Sequence, residues 1–194
     1  MKLTIDDIAD LRAYERERAD FRARVIDVKK HRRVGVGPFI TLLFENRDTI
    51  RFQIQEMARA EKILSDDGIK TELDAYNPLI PGPGTLRATM FVELTNEADL
   101  RTWLPQLVGI ERAVELRLPG GAVVAARPDE AHAEQLTRDT ITASVHYIGF
   151  DLAPPEIEAV GPGTVLAVDH PNYAYAIELP ETILAELQRD LEGG

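Results

Sequence analysis

The chain contains no cysteine. That excludes disulfides, thiolate zinc sites, iron–sulfur ligation by this chain and cysteine nucleophiles. Histidine is scarce, with four residues, so a metal would depend on imidazole and carboxylate donors. Serine occurs only as Ser65 and Ser144, and neither sits in a nucleophile-bearing turn. Dinucleotide-binding glycine motifs, Walker loops and His-Glu-x-x-His are missing too. No cofactor and no metal site is therefore expected. No apolar run reaches membrane-spanning length, and Met1–Leu11 carries acids where a secretion signal needs a basic start. The expected location is the cytoplasm. Positive charge is in deficit, with a net charge of −11, which argues against general nucleic-acid binding.

What is present suffices for a real core. The 194 residues are 44% apolar and suggest one domain, 1–194. Charge is uneven: residues 12–33 hold nine Lys and Arg against four Asp and Glu. The asymmetry would suit self-association as a homodimer or docking of a partner, and equally a solvated basic helix end. Thr4 and Asp7 read as a capping box opening a long N-terminal helix that ends near Arg33, within a helical arm 1–34. Tyr14, Phe21, Val25 and Val28 form its thin apolar stripe, with Arg18 inside it.

The organising stretch is Phe39–Leu64. It reads as strand, tight turn at Asn46-Arg47-Asp48, strand through Ile50, Phe52 and Ile54, then helix from Gln55. On that reading Arg51, Gln53 and Gln55 share one strand face beside a charged tip. With Arg47 and Glu56 they form the candidate contacts for a small polar ligand or a partner. The competing reading is a solvated face, with Glu56 in an ordinary surface ion pair. Asp169-His170, at a later hairpin tip, is the adjacent His–carboxylate pair and the remaining candidate, although metal chemistry would need more converging ligands. His146 lies on an apolar strand face and reads as a core residue.

The pattern repeats. A shift of 52 residues places Pro119 on Pro171 and Pro128 on Pro180, positions where backbone geometry is demanding. Two β-α-β-β-α modules follow, 85–138 and 139–192, after a first hairpin–helix unit at 39–80. Pro128, Pro154-Pro155 and Pro180 are each expected to open a helix, and Ser65–Gly68 to stop one. The fold class is α+β: a largely antiparallel sheet built from repeated hairpin–helix units, with the long N-terminal helix.

At FENRDTIRFQIQEMARAE, AYNPLIPGPGTLRATMFVEL and DHPNY the chain resembles an uncharacterised bacterial family, domain-of-unknown-function family 3501. The similarity covers nearly the whole chain. It implies genes placed beside rubrerythrin-like diiron proteins and iron–sulfur oxidoreductases, and so an accessory role in redox or oxidative-stress metabolism with such a protein as partner. It implies no catalytic residue. Two functions follow as expectations: a non-enzymatic accessory or interaction protein, or a small-molecule-binding protein or enzyme with a polar pocket on the first hairpin.

Overall fold

The computed structural model describes residues 1–129 and 140–193. Helix α1 spans Leu11–Lys30, followed by strands β1 (Arg33–Val36) and β2 (Ile40–Phe44). Helices α2 (Arg47–Glu61) and α3 (Asp66–Tyr76) come next, then β3 (Thr85–Val92) and α4 (Glu97–Trp103). The remainder is β4 (Val114–Arg117), β5 (Val123–Ala125), β6 (Arg127–Pro128), β7 (Val145–Asp151), α5 (Pro154–Ala159), β8 (Val165–His170), β9 (Tyr173–Glu178) and α6 (Glu181–Glu192). The class is α+β, with antiparallel pairing throughout.

Two sheets form, a five-stranded one ordered β1-β2-β3-β7-β6 and a four-stranded one ordered β5-β4-β8-β9. Strand alternation sorts their faces. Val34, Leu42, Met90 and Phe150 of the first sheet pack with Leu116, Leu166 and Tyr173 of the second in one buried core. The residues between them, Leu43, Thr89, Phe91 and Tyr147, turn to the other face, where α1, α2 and α3 cover the sheet. The order is therefore helices, sheet, sheet, with α6 completing the core through Ile183, Leu184, Leu187 and Leu191.

The two halves mirror each other. Strand β3 pairs antiparallel with β7, and β4 with β8 in a register that exchanges Val114 with Val168 and Leu116 with Leu166. Pro119 lies in the turn between β4 and β5, and Pro171 in the turn between β8 and β9. Pro180 caps α6 and Pro154 opens α5, as the sequence suggests. Pro128 departs from that expectation. It pairs with Ile148 in β6 rather than opening a helix, and the rest of that expected helix lies outside the described residues.

The organising stretch is different from its sequence reading. The strand expected through Ile50, Phe52 and Ile54 is the first half of α2. Asn46 is not a turn residue but the helix cap: its side chain accepts the Thr49 N–H, and the Thr49 hydroxyl accepts the Asn46 N–H. Ile50, Ile54 and Ala58 then recur every four residues and are buried together. The real first hairpin is β1–β2, turning at Gly37, whose φ of +73° suits glycine. Tyr173 and Tyr175 pack where its side chain would be. Ser65, expected to end a helix, starts α3 by accepting the Gly68 N–H. The Thr4–Asp7 capping box closes only a single 3-10 turn, and Asp10 caps α1 afresh.

A buried ion-pair cluster ties the end of α1 to α6. Arg32, buried just after α1, forms a two-pronged pair with Asp190 (2.6 and 3.0 Å) and a further bond to Glu186 (2.9 Å) of α6. At the opposite edge of the second sheet, β9 leaves Ala174, Tyr175, Ala176 and Ile177 exposed.

Candidate functional site

The predicted site residues fall into separate places, because α2 is a helix and its side chains radiate. Arg47 pairs with Asp7 (2.5 Å). Arg51 donates to the Asp7 carbonyl (2.7 Å), reaches Glu17 (3.3 Å) and lies over the Phe21 ring (4.8 Å). Gln55 is fully buried, and its amide closes a two-way clasp with the Ala9 backbone (2.7 and 3.1 Å). Glu56 accepts two bonds from Arg18 (2.8 Å each) and one from the Tyr14 hydroxyl (2.6 Å). Those bonds, Arg18 first, hold its carboxyl down at about 2. The polar partners thus explain how a helix with so thin an apolar stripe stays docked. Arg18, inside that stripe, is the docking residue.

Asp169 and His170 fasten the β8–β9 tip. His170 meets the Val108 carbonyl through Nε2 (3.2 Å) and accepts the Asn172 N–H at Nδ1 (3.2 Å). Asp169 is exposed and lies 3.9 Å from Arg117. His146 is buried in the core and bonded to Thr142 and the Ala143 carbonyl (2.9 Å each). Among the described residues no cluster of three or more potential metal ligands occurs.

Two of the predicted set face cavities: Arg47 lines an open cleft of ≈ 390 Å³ beside Arg32, Glu186 and Asp190, and Gln53 lines a cavity under α2. The cavity under α2 measures ≈ 220 Å³ and lies between the helices and the outer face of the first sheet. Its walls come from six parts of the chain: Lys29 of α1, Leu43 and Glu45 at the end of β2, Ile50 and Gln53 of α2, Tyr76 at the end of α3 with Leu79 beyond it, Thr89 and Phe91 of β3, and Val145 and Tyr147 of β7. Gln53 makes no hydrogen bond to any described residue, so its amide is available to an occupant.

Glu45 sets the chemistry. It follows the fully buried strand Ile40–Phe44 and immediately precedes the α2 cap, so the chain turns with its carboxylate inside. It is 7% exposed. Its Oε1 accepts the Thr89 hydroxyl (2.5 Å), and its Oε2 accepts the Thr49 hydroxyl. No cationic side chain among the described residues forms an ion pair with it. Burial pushes its pKa up; the two threonine bonds, then the more distant Lys29 and Arg32 charges, oppose that rise. On the same wall Tyr147 is raised to about 12, chiefly by burial, with Tyr76 and Glu45 adding to it. The site therefore offers one buried carboxylate, the Tyr147 phenol, which keeps its proton, the Tyr76 ring, the Gln53 amide, apolar walls and the Lys29 side chain. The signal for Glu45 was present in the sequence as an acid abutting five consecutive buried positions.

The comparisons with known proteins come to the same unassigned ground. A family described as protein of unknown function (DUF3501) matches residues 2–191. A crystal structure of a novel protein of unknown function from Burkholderia pseudomallei K96243 is similar at 42% identity, with a TM-score of 0.89, over 98% of this chain and 100% of that one. No curated protein matches.

Proposed function

Since the chain belongs to the DUF3501 family of proteins of unknown function, we propose a role from its own geometry: it binds a small organic cation in the cavity under α2, with Glu45 as counter-charge. The observation that carries this is the buried Glu45 carboxylate, which opens on a cavity and forms no ion pair with a described residue. Buried charges are ordinarily paired, because an unpaired one costs much of its solvation. An amine or amidine would supply the missing partner. Phe91 and the tyrosines would take its apolar part, and aromatic faces also attract cations. At ≈ 220 Å³ the cavity is below the roughly 300–1,000 Å³ typical of drug-sized sites, so the occupant is small.

The test is a thermal-shift and calorimetric panel of small primary amines, guanidines and matched neutral alcohols on wild type and Glu45→Gln. A cationic member should bind wild type saturably and lose its affinity in the variant. Binding that persists in Glu45→Gln, or a preference for the neutral analogues, would overturn the assignment.

A further inference from the structure

A second cavity lies beside the first on the same sheet face, and the two share Leu79 as a wall. It measures ≈ 290 Å³ and is lined by Arg87, Arg127, Pro128, Asp129, Gly149 and Asp151 in addition. The cross-strand register explains its character. Arg87 of β3 is the partner of Gly149 of β7, and Gly149 is the partner of Arg127 of β6. Partners in register point to the same face. Two arginines therefore stand in one row, on either side of a residue without a side chain.

Gly149 is what makes the row possible. A Cβ there would collide with the Arg87 guanidinium. Without it, the Arg87 side chain lies flat over β7. One of its nitrogens, Nη1, bonds Asp151 (3.0 Å) and the Leu86 carbonyl (3.1 Å). Its Nε and Nη2 bond no described residue, and Arg127 is exposed and makes no hydrogen bond or ion pair with one. Lys2 adds a third positive charge nearby. Its ammonium is fixed by the carbonyls of Asn77 and Ile80 (2.5 and 2.9 Å), and its pKa falls through loss of water and then through Arg87. Asp129 and Asp151 offset part of this charge. Like charges gathered at a concave site, with guanidinium donors unspent, favour an anion.

We propose that the Arg87–Gly149–Arg127 row is a binding site for a small oxyanion, a carboxylate or phosphate group, gripped between two guanidinium groups. The planar fork of arginine matches both oxyanions. The two arginines and Gly149 lie outside the cation cavity, and the proposal stands independently of it.

The experiment is titration of the purified full chain with inorganic phosphate and, separately, with acetate, at low ionic strength against a chloride control. Heat and amide chemical shifts provide the readout. Saturable binding of either anion, with shifts centred on 87, 127 and 149, is expected, and the one that binds more tightly identifies the source. Arg127→Gln should weaken it on the order of ten-fold or more, the value of a lost charge-assisted bond. Gly149→Ala should do the same with both arginines still present, because its methyl group displaces Arg87. Arg127 is exposed, so Arg127→Gln should fold and decides the question should Gly149→Ala not fold. No saturable binding of either anion, or unchanged affinity in Arg127→Gln, would overturn the proposal.

Discussion

The cation reading of Glu45 makes a prediction about stability that is opposite in sign to most core substitutions. Glu45→Gln should stabilise the empty protein at neutral pH. The side chain keeps its shape, and the bonds can be re-formed. One threonine hydroxyl goes on donating to the Gln oxygen. The Thr49 hydroxyl can turn its proton to the Asn46 carbonyl, 3.1 Å away, and accept from the new amide. What disappears is a buried charge with no cationic partner among the described residues. The sign with pH follows from the raised carboxyl. At or below the ordinary carboxylate range Glu45 is protonated in both the folded and unfolded chain, so it costs nothing. As pH rises toward its folded-state value, only the unfolded chain ionises freely, and wild type loses stability by about 1.4 kcal/mol for each unit of upward shift. Gln has no such loss. The variant's advantage should be near zero at pH 4 and reach a plateau of about 1–3 kcal/mol near pH 8, the usual cost of an unsatisfied buried polar group. In a chain of this size each kcal/mol raises Tm by roughly 2–4 °C. Urea and thermal melts of both proteins from pH 4 to 8 measure it. The other titrating groups are common to the two, so the difference isolates Glu45. A variant less stable than wild type at pH 8, or a gap that does not change with pH, would refute the reasoning. A carboxylate retained at such a cost is the pattern expected of a binding group.

Glu56→Gln should behave in the contrary way. It removes the charge that Arg18 and Tyr14 share, so it should cost on the order of 1.5–3 kcal/mol at neutral pH. Because the Glu56 carboxyl sits at about 2, that contribution is complete above the ordinary carboxylate range and fades as pH falls toward 2. Urea melts between pH 3 and 7 should show the gap narrowing with acid. Arg51→Ala should cost about 1–2 kcal/mol, from its bond to the Asp7 carbonyl and its seat on Phe21. Gln53→Ala should stay within about 0.5 kcal/mol; similar losses at the two positions by urea melt would contradict the separation of docking and cavity residues.

The legible parts of the fold were those with local geometric demands. Pro119, Pro171 and Pro180 occupy the predicted places because a fixed φ and a missing N–H leave few alternatives. Strands β3 and β7 were readable from the alternation at their starts, and β8 and β9 from the turn residues His170-Pro171-Asn172 between them. The stretch at 49–54 carried two periods at once, since Ile50 and Ile54 fit both a strand with Phe52 and a helix with Ala58. The cap at Asn46 and Thr49 decides for the helix, and Asn-Arg-Asp also has the composition of a turn. Strand β1 was hidden because Gly35 and Gly37 look like breakers, whereas pairing with β2 overrides the weak propensity of Gly35, and Gly37 makes the turn between the two strands. The cation cavity could not be read in sequence, because Lys29, Glu45, Gln53, Tyr76, Thr89 and Tyr147 meet only after six segments are folded. The arginine row had no sequence signature for a related reason: a one-residue change in the register of β3, β7 or β6 would dissolve it.

The mirrored pairing of the two halves bears on how the protein comes off the ribosome. Thr85 finds Asp151, and Val114 finds Val168, so both sheets are joined at their centres by contacts far apart in the chain. Until β7 and β8 have been made, β3 and β4 are open edges rich in apolar side chains, and loop closure must be met before either pairing is rewarded. Folding should accordingly be slow for the chain's size. The half-made chain is where misassembly threatens, since the open edge of one nascent molecule offers the complement sought by another. The same geometry lets a late strand rescue an early one, so truncation before β7 should leave a chain with two unfinished sheets rather than one finished module.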